Sequence, residues 1–535
     1  MDACPPLTRF SFALSLTAIL LAAAPPAQAA PARSAPPAGV RKGAGTRKVL
    51  TRLWLRHLPV AGIGSPVAYD FDGDGQREIV LVGGKMGRWG AAGVVAQRDG
   101  RLLWKHRFSD EQYVTPAILT VPGQTLLVTG GRDQRLHALD GKTGEEVWTL
   151  SRPGGINFNA LLVVPDADGD GVRDLLATRG GGYDDARRIP GEILRISGRN
   201  GTVLTAVEVP DGREIYSAPA RLPEGDLLVA TGSLRIPGHL FRLDARHLQP
   251  RWRRRARHSG FIASPVVYRS AEGRLLVAAV EFEARVLVVD AETGTSVWAR
   301  AFDGLETEAS VAVGRFGGDG TPDLVSVAAE GHMPVYRGKA HVLWLDGASG
   351  AVLARRAVPG VAVSTPVVFD LDGDALDETL VVANDRFDQM TGRATAYLFD
   401  GRSHRLLWRR PLRRFAAATP LLIRSGAQWH LLLAAQQRAE LWRFTGPVDP
   451  QWPAFRGARG DGLHRSVWAE AGAKQTGQGE PSGEEEQGVN GEGRQLDPAE
   501  QARQRTTPTV EIGGSTGDEE RRGDETKRSQ EQHAP

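Results

Sequence analysis

The middle of the chain repeats one pattern eight times, and this periodicity limits the folds open to it. Each unit opens with a small residue and an apolar run, as in SPVAYD, TPAILT and TPVVFD. The aligned anchor positions are Pro66, Pro116, Leu162, Pro219, Pro265, Val311, Pro366 and Pro420, at spacings of 50, 46, 57, 46, 46, 55 and 54 residues. Units of this length with about four short β-rich runs match propeller blades. The sequence therefore predicts an all-β, eight-bladed β-propeller over residues 47–468.

A second signature ends most units. LHALDGKTGEEVW, VLVVDAETGTSVW and AYLFDGRSHRLLW close at Trp148, Trp298 and Trp408. The Asp-Gly and Thr-Gly steps supply hairpin turns between the third and fourth strands. Because the Trp recurs at the same place, we interpret it as packing between neighbouring blades and not as a ligand cage.

The eighth unit is incomplete. LLIRSG, HLLLAAQ and AELWRFTG give three strands, and then Pro447, Pro450 and Pro453 interrupt the pattern. Residues 49–58, VLTRLWLRHL, match the fourth-strand pattern but have no unit of their own. We expect this segment to complete the eighth blade, which closes the ring and leaves no unpaired edge.

Four units carry an acidic loop between the first two strands. The unit-one loop reads DFDGDGQRE, with carboxylates at positions 1, 3, 5 and 9 and a main-chain carbonyl available at position 7. Oxygen-only ligands of this kind suit Ca²⁺, here in a structural role. The predicted ligands are Asp70, Asp72, Asp74, Gln76 and Glu78 in unit one, Asp166, Asp168, Asp170, Val172 and Asp174 in unit three, and Asp370, Asp372, Asp374 and Glu378 in unit seven.

Two of these loops depart from the pattern. Unit seven has Ala375 in place of the position-six glycine, so its turn is expected to be strained. Unit six keeps only Asp319 and Asp323, with Arg315 at position one and Gly317 at position three, and it is expected to be empty.

The same four units are lengthened between their second and third strands. In a propeller these loops emerge on the face opposite the acidic loops, and exposed charged and aromatic loop residues on a rigid ring often bind partners. The candidate ligand-binding residues are Lys85, Arg88, Trp89, Tyr183, Asp184, Asp185, Arg187, Arg188, His332, Tyr336, Arg337, Arg386, Phe387 and Asp388. The alternative is that the loops pack on each other and bind nothing.

The two ends differ from the middle in composition. Residues 1–29 hold an apolar run and the small-x-small step Ala27-Gln28-Ala29, which predicts a secretory signal peptide. Residues 30–46 predict a flexible lead-in, and the polar residues 469–535 a disordered tail. Cys4 is the only cysteine and precedes the apolar run, which excludes disulfides, thiolate metal sites and a lipoprotein cysteine. The expected location is periplasmic or secreted.

The formal net charge of +3 gives no reason to expect a nucleic-acid partner. No later stretch is long and apolar enough for a membrane span, and we expect a monomer.

Two resemblances follow from these motifs. The D-x-D-G-D-G-x-x-D/E loops resemble FG-GAP (VCBS-like) repeats, and the LDGKTGEEVW endings resemble quinoprotein-like (PQQ-like) eight-bladed propellers. The late segment WPAFRGARGDGLHRS is similar to one found in secreted bacterial members of the second group. Together the resemblances cover roughly residues 49–466 and imply a propeller fold and calcium in units one, three and seven.

Three functional hypotheses remain open. The first is an exported calcium-binding propeller that acts as a non-enzymatic binding or scaffold module for a protein or glycan. The second is a propeller enzyme, either quinoprotein-like or polysaccharide lyase-like with Tyr183, His332 and Arg337 in proton abstraction; the adjacent-cysteine disulfide of quinoprotein dehydrogenases cannot form here. The third is a scaffold like the propeller lipoprotein of outer-membrane assembly, which the missing lipid cysteine disfavours.

Overall fold

The computed structural model describes residues 49–467 except 61, 153–156, 181, 185–186, 334 and 388–390, and gives only the main chain of 182–184 and 187–189. The predicted signal peptide, lead-in and polar tail lie outside the described residues. Within the described part, the only helical element is the 3₁₀ turn Arg465–Val467. None of the described helices is long and apolar enough to cross a bilayer.

The strands form the eight predicted antiparallel blades, in each of which the strands follow chain order from the inside outward, except that the outer strand of blade eight comes from the N-terminal side. Blade one contains Val67–Tyr69, Glu78–Lys85, Trp89–Ala96 and Leu102–Phe108. Blade two contains Ala117–Val121, Gln124–Gly130, Arg135–Asp140 and Glu146–Ser151. Blade three contains Phe158–Val164, Asp174–Arg179, Glu192–Ile196 and Val203–Glu208, and its insertion forms the hairpin Gly182–Asp184 with Arg187–Ile189. Blade four contains Ala220–Arg221, Leu227–Ala230, His239–Leu243 and Pro250–Arg255.

The remaining blades follow the same order. Blade five contains Val266–Arg269, Leu275–Val280, Val286–Asp290 and Ser296–Arg300. Blade six contains Ala312–Gly314, Asp323–His332, Val335–Leu345 and Val352–Pro359, with Leu305–Glu306 paired to its second strand. Blade seven contains Val367–Asp370, Glu378–Asn384, Ala394–Phe399 and Leu406–Pro411, with Val361–Ala362 paired to its second strand. Blade eight contains Leu421–Ser425, Gln428–Ala435, Arg438–Phe444 and Leu50–His57.

The burial of each strand follows from its place in the blade. The middle strands are apolar on both faces because each blade is covered by a neighbour on either side, and the run from Ile79 to Val82 is at most 2% exposed. The outermost strands, such as Leu102–Phe108, alternate between half-buried and exposed residues. The core is thus a series of blade-to-blade layers around the ring.

The ring is closed by the N-terminal strand, as the sequence predicts. Leu50–His57 pairs antiparallel with Arg438–Phe444 and becomes the outer strand of blade eight. Trp54 in this strand is 5% exposed, and its indole Nε1 donates to the main-chain oxygen of Gln97 in blade one at 2.8 Å. The strand therefore completes one blade and joins it to the next.

The recurring Trp residues lie between blades. Trp104 of blade one donates from Nε1 to the oxygen of Gly141 in blade two at 2.8 Å. Its ring covers Gly144, where an added Cβ would meet the ring at 2.5 Å and where φ is 78°. Trp252 and Trp298 repeat the arrangement with donor bonds to Ala291 and Gly347. The predicted packing role is confirmed at these positions.

The prolines after the eighth unit begin a segment that enters the central channel. We call residues 449–467 the channel segment. Asp449–Trp452 pairs with the inner strand of blade seven, and the oxygen of Pro453 accepts from Leu422 N in blade eight. The chain then crosses to blade five, where His464 N donates to the oxygen of Val267 at 2.8 Å.

Replacing Trp54 by Ala tests the closure. We expect a loss of about 3–5 kcal/mol in the free energy of unfolding, because the change opens a cavity between blades eight and one and leaves the oxygen of Gln97 unpaired. Leu53→Ala in the same strand, where the side chain is 42% exposed, is the control and should cost less than about 1 kcal/mol. Equal losses in denaturant unfolding of the two variants would contradict this account of the closure.

Candidate functional site

The acidic loops of blades one, three and seven share one hydrogen-bond pattern. In blade one, Asp70 accepts from Gly73 N at 2.7 Å and from Gly75 N at 2.8 Å, and Asp74 accepts from Gln76 N at 2.7 Å. Asp166 and Asp370 accept in the same way in their loops. The position-one carboxylate therefore organises the turn and aligns the carboxylates that follow it.

The structure brings three carboxylates together in each loop. Their ligand atoms all lie within 4.8 Å of one another, and the groups are Asp70, Asp72 and Glu78, then Asp166, Asp168 and Asp174, then Asp370, Asp372 and Asp374. The remaining predicted side-chain ligands, Asp74, Asp170 and Glu378, lie outside these groups. Carboxylates this close repel one another, and a hard cation between them removes the repulsion.

The position-nine carboxylate is the buried member of each loop. Glu78, Asp174 and Glu378 are at most 6% exposed, and Glu78 and Glu378 reach back to accept from the main-chain N–H of Phe71 and Leu371. Burial raises the pKa of Glu78 and of Asp174. Burial, with the charges of Asp372 and Asp370 as a smaller cause, raises the pKa of Glu378 to about 8. These groups are therefore costly to ionise without a nearby cation.

The three acidic loops differ in whether arginines form ion pairs with their carboxylates. Arg199 pairs with Asp170 at 3.2 Å, and Arg402 pairs with Asp374 at 3.0 Å. Within the described residues, the blade-one loop carboxylates form no ion pair. The unpaired carboxylates of blade one therefore offer a cation the strongest field.

The blade-seven loop is further modified. Arg315 lies 3.6 Å from Asp370 and 2.8 Å from Asp377, so a protein cation already faces this loop. Ala375 has a φ of 65°, which costs a non-glycine residue roughly 1–2 kcal/mol. The strain predicted from the sequence is present.

The blade-six loop has a different organisation. Asp323 accepts from Phe316 N at 2.8 Å and from Gly347 N at 3.0 Å, and burial raises its pKa to about 6. Asp319, Asp323 and Asp346 still bring ligand atoms within 4.8 Å of one another. That this loop holds no ion remains a prediction.

The opposite face opens into the central channel, a cavity of about 880 Å³. One residue from each blade, three positions before its anchor, surrounds the opening; we call this set the channel mouth. Its members are Ile63, Tyr113, Asn159, Tyr216, Ile262, Glu308, Val363 and Ala417. The sequence reasoning missed these residues, although the alignment of the eight units contains the column that reveals them.

One side of the channel mouth is a connected polar network. Tyr113 donates to Asn159 Oδ1 at 2.6 Å, and Asn159 Nδ2 donates to the oxygen of Ile215 at 2.7 Å. Arg132 stacks over the Tyr113 ring at 5.3 Å and pairs with Glu111 at 2.9 Å. The network links blades two, three and four.

Glu308 stands four blades from Tyr113, on the far side of the mouth. Within the described residues it forms no hydrogen bond or ion pair. Burial, and then the charge of Glu306, raises the pKa of Glu308 to about 7. Glu306 itself is held by Arg235 at 2.8 Å and by His332 Nδ1 at 2.9 Å.

Three of the predicted partner-binding residues meet beside the mouth. The Tyr336 ring lies 6.0 Å from Phe387, which lies 5.8 Å from Phe415, and Trp89 packs against the Ile63–Phe415 pair. We call Trp89, Tyr336, Phe387 and Phe415 the aromatic arc. Trp89, Tyr336 and Phe387 are half-buried, so the loops do pack on one another through these rings.

The other predicted residues are more dispersed. Lys85, Arg88, Arg337 and Arg386 are exposed around the arc, and the His332 side chain is 67% exposed while it contacts Glu306. Tyr183, Asp184, Arg187 and Arg188 lie on the blade-three hairpin, for which only the main chain is described. Asp185 and Asp388 lie outside the described residues.

A Glu308→Gln variant tests the burial of this carboxyl. In the folded protein the pKa of Glu308 lies above the ordinary value of 4.5. Protonated Glu308 therefore contributes its full stability to the fold below pH 4.5, and this contribution is lost as the pH rises through about 7. We expect the variant to melt higher than the parent at pH 8, with the difference shrinking toward pH 4.5. Glu145→Gln, at an exposed hairpin position, should show no such trend. A difference in melting temperature that does not change with pH would refute the assignment.

Comparison with known proteins agrees with the fold. Residues 90–316 match the PQQ_2 family model, described as outer membrane protein assembly factor BamB. The quinohemoprotein alcohol dehydrogenase of Comamonas testosteroni has a TM-score of 0.51 at 12% identity, over 75% of this chain and 77% of that chain. A europium-containing methanol dehydrogenase has a TM-score of 0.52 at 11% identity, over 72% and 84%.

The chain also matches a short part of two curated relatives. Protein FAM234B of Homo sapiens is 32% identical over 142 residues, which is 23% of this chain and 23% of the human protein. The Mus musculus protein is 30% identical over 143 residues, again 23% of each. The match therefore spans about a quarter of the length of these relatives.

The chain is thus an eight-bladed β-propeller by its structure, and residues 90–316 are similar to the PQQ_2 family model.

Proposed function

We propose that the protein is an exported, calcium-stabilised propeller that binds a protein or glycan through the face bearing the aromatic arc. It acts as a binding or scaffold module without catalysis. The export component rests on the N-terminal sequence, and the BamB description of the matching family model is consistent with a module that works outside the cytoplasm.

The observation that carries the binding proposal is the aromatic arc. Three half-buried rings, Trp89, Tyr336 and Phe387 of blades one, six and seven, form a contiguous apolar surface over the buried ring of Phe415 beside blade eight. Exposed cations from the same loops surround it, among them Lys85, Arg88 and Arg337. Aromatic anchors inside a polar rim are the usual anatomy of a protein or carbohydrate contact.

The calcium proposal is supported by the three carboxylate groups and by their buried position-nine members. Each loop joins the first two strands of a blade, so an ion there would fix the inner edge of that blade. Blade one is the strongest candidate because its carboxylates have no arginine partner among the described residues. Blade seven is the weakest because Arg315 lies beside Asp370.

Chelation tests the calcium component. We expect EDTA to lower the melting temperature of the full chain, because removal of the ions leaves clustered carboxylates that repel one another. The double variant Asp72→Ala, Asp168→Ala should already melt lower and respond much less to EDTA. Asp303→Ala, at an exposed turn, is the control and should respond like the parent. An EDTA-insensitive parent melt in scanning calorimetry would eliminate calcium.

Reversal of the rim charges tests the binding face. A glycan array and a panel of purified envelope proteins provide the probes, and biolayer interferometry measures the affinity. For whichever probe binds, Arg88→Glu with Arg337→Glu should weaken the affinity by about tenfold or more, because like charges at an interface rim repel. Arg253→Glu with Arg255→Glu, on the exposed outer strand of blade four, should leave binding unchanged. Full binding by the first variant would place the contact elsewhere.

A catalytic role at the channel mouth is the second candidate. One observation favours it: a carboxyl with a pKa of about 7 inside a cavity has the properties of a general acid or base. His332, considered for proton abstraction in a lyase-like reaction, is held instead by Glu306. Turnover of a uronate polymer that is lost in Glu308→Gln would select this function over the binding module.

A further inference from the structure

We propose that the end of the channel next to the acidic loops binds a small anion that carries phosphate or carboxylate groups. The site lies on the face opposite the aromatic arc and does not depend on the proposed partner. Its residues are Arg77, Arg173 and Arg221, with Arg456 and Arg459 of the channel segment.

The first three arginines share a structural origin. Arg77 and Arg173 occupy the eighth position of the blade-one and blade-three loops, just before the second strand begins. Arg221 ends the inner strand of blade four. Because inner strands run in the same direction around a propeller, all three lie at the same end of the channel and line its wall.

These three arginines make no direct side-chain contact with a carboxylate within the described residues, and Asp461 and Glu224 act on Arg221 only at longer range. Arg77, Arg173 and Arg221 form no side-chain hydrogen bond and no ion pair there. Other arginines of the ring are satisfied: Arg242 pairs with Asp226 at 2.7 Å. The carboxylates nearest in sequence to Arg77 and Arg173 are Glu78 and Asp174, and they accept from the loop N–H groups of Phe71 and Ala167.

The channel segment adds a buried cation. Arg456 is 3% exposed, and its guanidinium donates to the main-chain oxygens of Leu161 and Pro219. Its Nε is buried and has no hydrogen-bond partner. No carboxylate forms an ion pair with Arg456 in the described part of the chain, and burial lowers its pKa to about 10.

The charges at this end do not balance. Five arginines line the channel beyond its mouth, and Asp461 is the one carboxylate among the lining residues of that part, since Glu111 and Glu308 belong to the mouth. Burial and the neighbouring charge of Arg173 lower the pKa of Arg221, which indicates that the two guanidinium groups repel. Arg456 is buried and Arg221 is half-buried, whereas Arg77, Arg173 and Arg459 are exposed. A buried charge without an ion-pair partner is costly, and a bound anion would offset that cost at Arg456 and the repulsion between Arg173 and Arg221.

The geometry limits the ligand. The channel segment crosses the channel from blades seven and eight to blades four and five, and Arg456 reaches the main-chain oxygens of Leu161 and Pro219 in blades three and four. Arg456 therefore lies on the side of the channel to which blades three and four contribute Arg173 and Arg221. Guanidinium groups bind planar carboxylates and phosphate oxygens through paired hydrogen bonds. A compact ligand with at least two negative charges therefore fits better than a neutral sugar.

Calorimetric titration of the full chain tests the site. Inorganic phosphate and succinate are the two probes, because they represent the two anion classes and chelate calcium weakly. We expect saturable one-to-one binding of at least one probe that weakens as salt is raised. The variant Arg173→Gln, Arg221→Gln should lose about tenfold or more in affinity, since each loses charge-assisted hydrogen bonds.

The control removes the same charge elsewhere. Arg253→Gln with Arg255→Gln, on the outer strand of blade four, should bind the probes as the parent does. The melting temperature of each variant is measured alongside, and affinities are compared between variants that melt at the same temperature as the parent. Binding of one probe alone assigns the anion class. Absence of saturable binding of both probes, or equal affinity in parent and Arg173→Gln, Arg221→Gln, overturns the proposal. None of these outcomes bears on the proposed partner-binding face, which carries Arg88 and Arg337 at the opposite end of the channel.

Discussion

Every blade of this propeller is stable only because it has a neighbour on each side. The middle strands are apolar on both faces, so an open ring would expose two complete blade surfaces to water. The pairing of Leu50–His57 with Arg438–Phe444 removes that exposure. The hydroxyl of Ser65 adds a second link, because it accepts from Thr419 N at 3.1 Å between blades one and eight. The acidic loops and the channel mouth both depend on this closed scaffold.

The fold was largely predictable because its contacts repeat. The anchors, the Asp-Gly hairpins and the Trp positions are local patterns, and the surplus fourth strand at residues 49–58 predicted the closure. Blade six lacks the recurring Trp and compensates with a Trp on the neighbouring strand. Leu353 replaces the Trp there, and Trp344 on the preceding strand instead donates to Thr379 in blade seven at 2.9 Å and packs on His404 at 4.6 Å. His404 occupies the hairpin position at which blades one, two, three, five and six have glycine and blade four has Leu248.

The interior of the channel was harder to predict because its contacts are not local. Arg456 reaches the oxygen of Leu161, 295 residues earlier, through a main-chain acceptor that leaves no trace in the sequence. Glu308 looks like an ordinary polar residue before a strand until the eight units are placed in a ring. The acidic loops, by contrast, could be predicted directly from the sequence, because all of their carboxylates lie within nine consecutive residues and the spacing of these residues determines the turn. The arginines beside Asp170 and Asp374 come from other hairpins and were not foreseen.

The closing strand also constrains when the molecule can fold. Val49 and Thr445 are in contact although 396 residues separate them, so the strand Leu50–His57, which is synthesised before all eight blade units, must wait for the last blade. Until then, both its edge and the edge of blade eight remain available for wrong pairing. Such long sequence separation predicts slow maturation and a need for protection of the nascent chain. The strand Leu50–His57 thus closes the finished ring, but before closure its unpaired edge can form incorrect strand pairs.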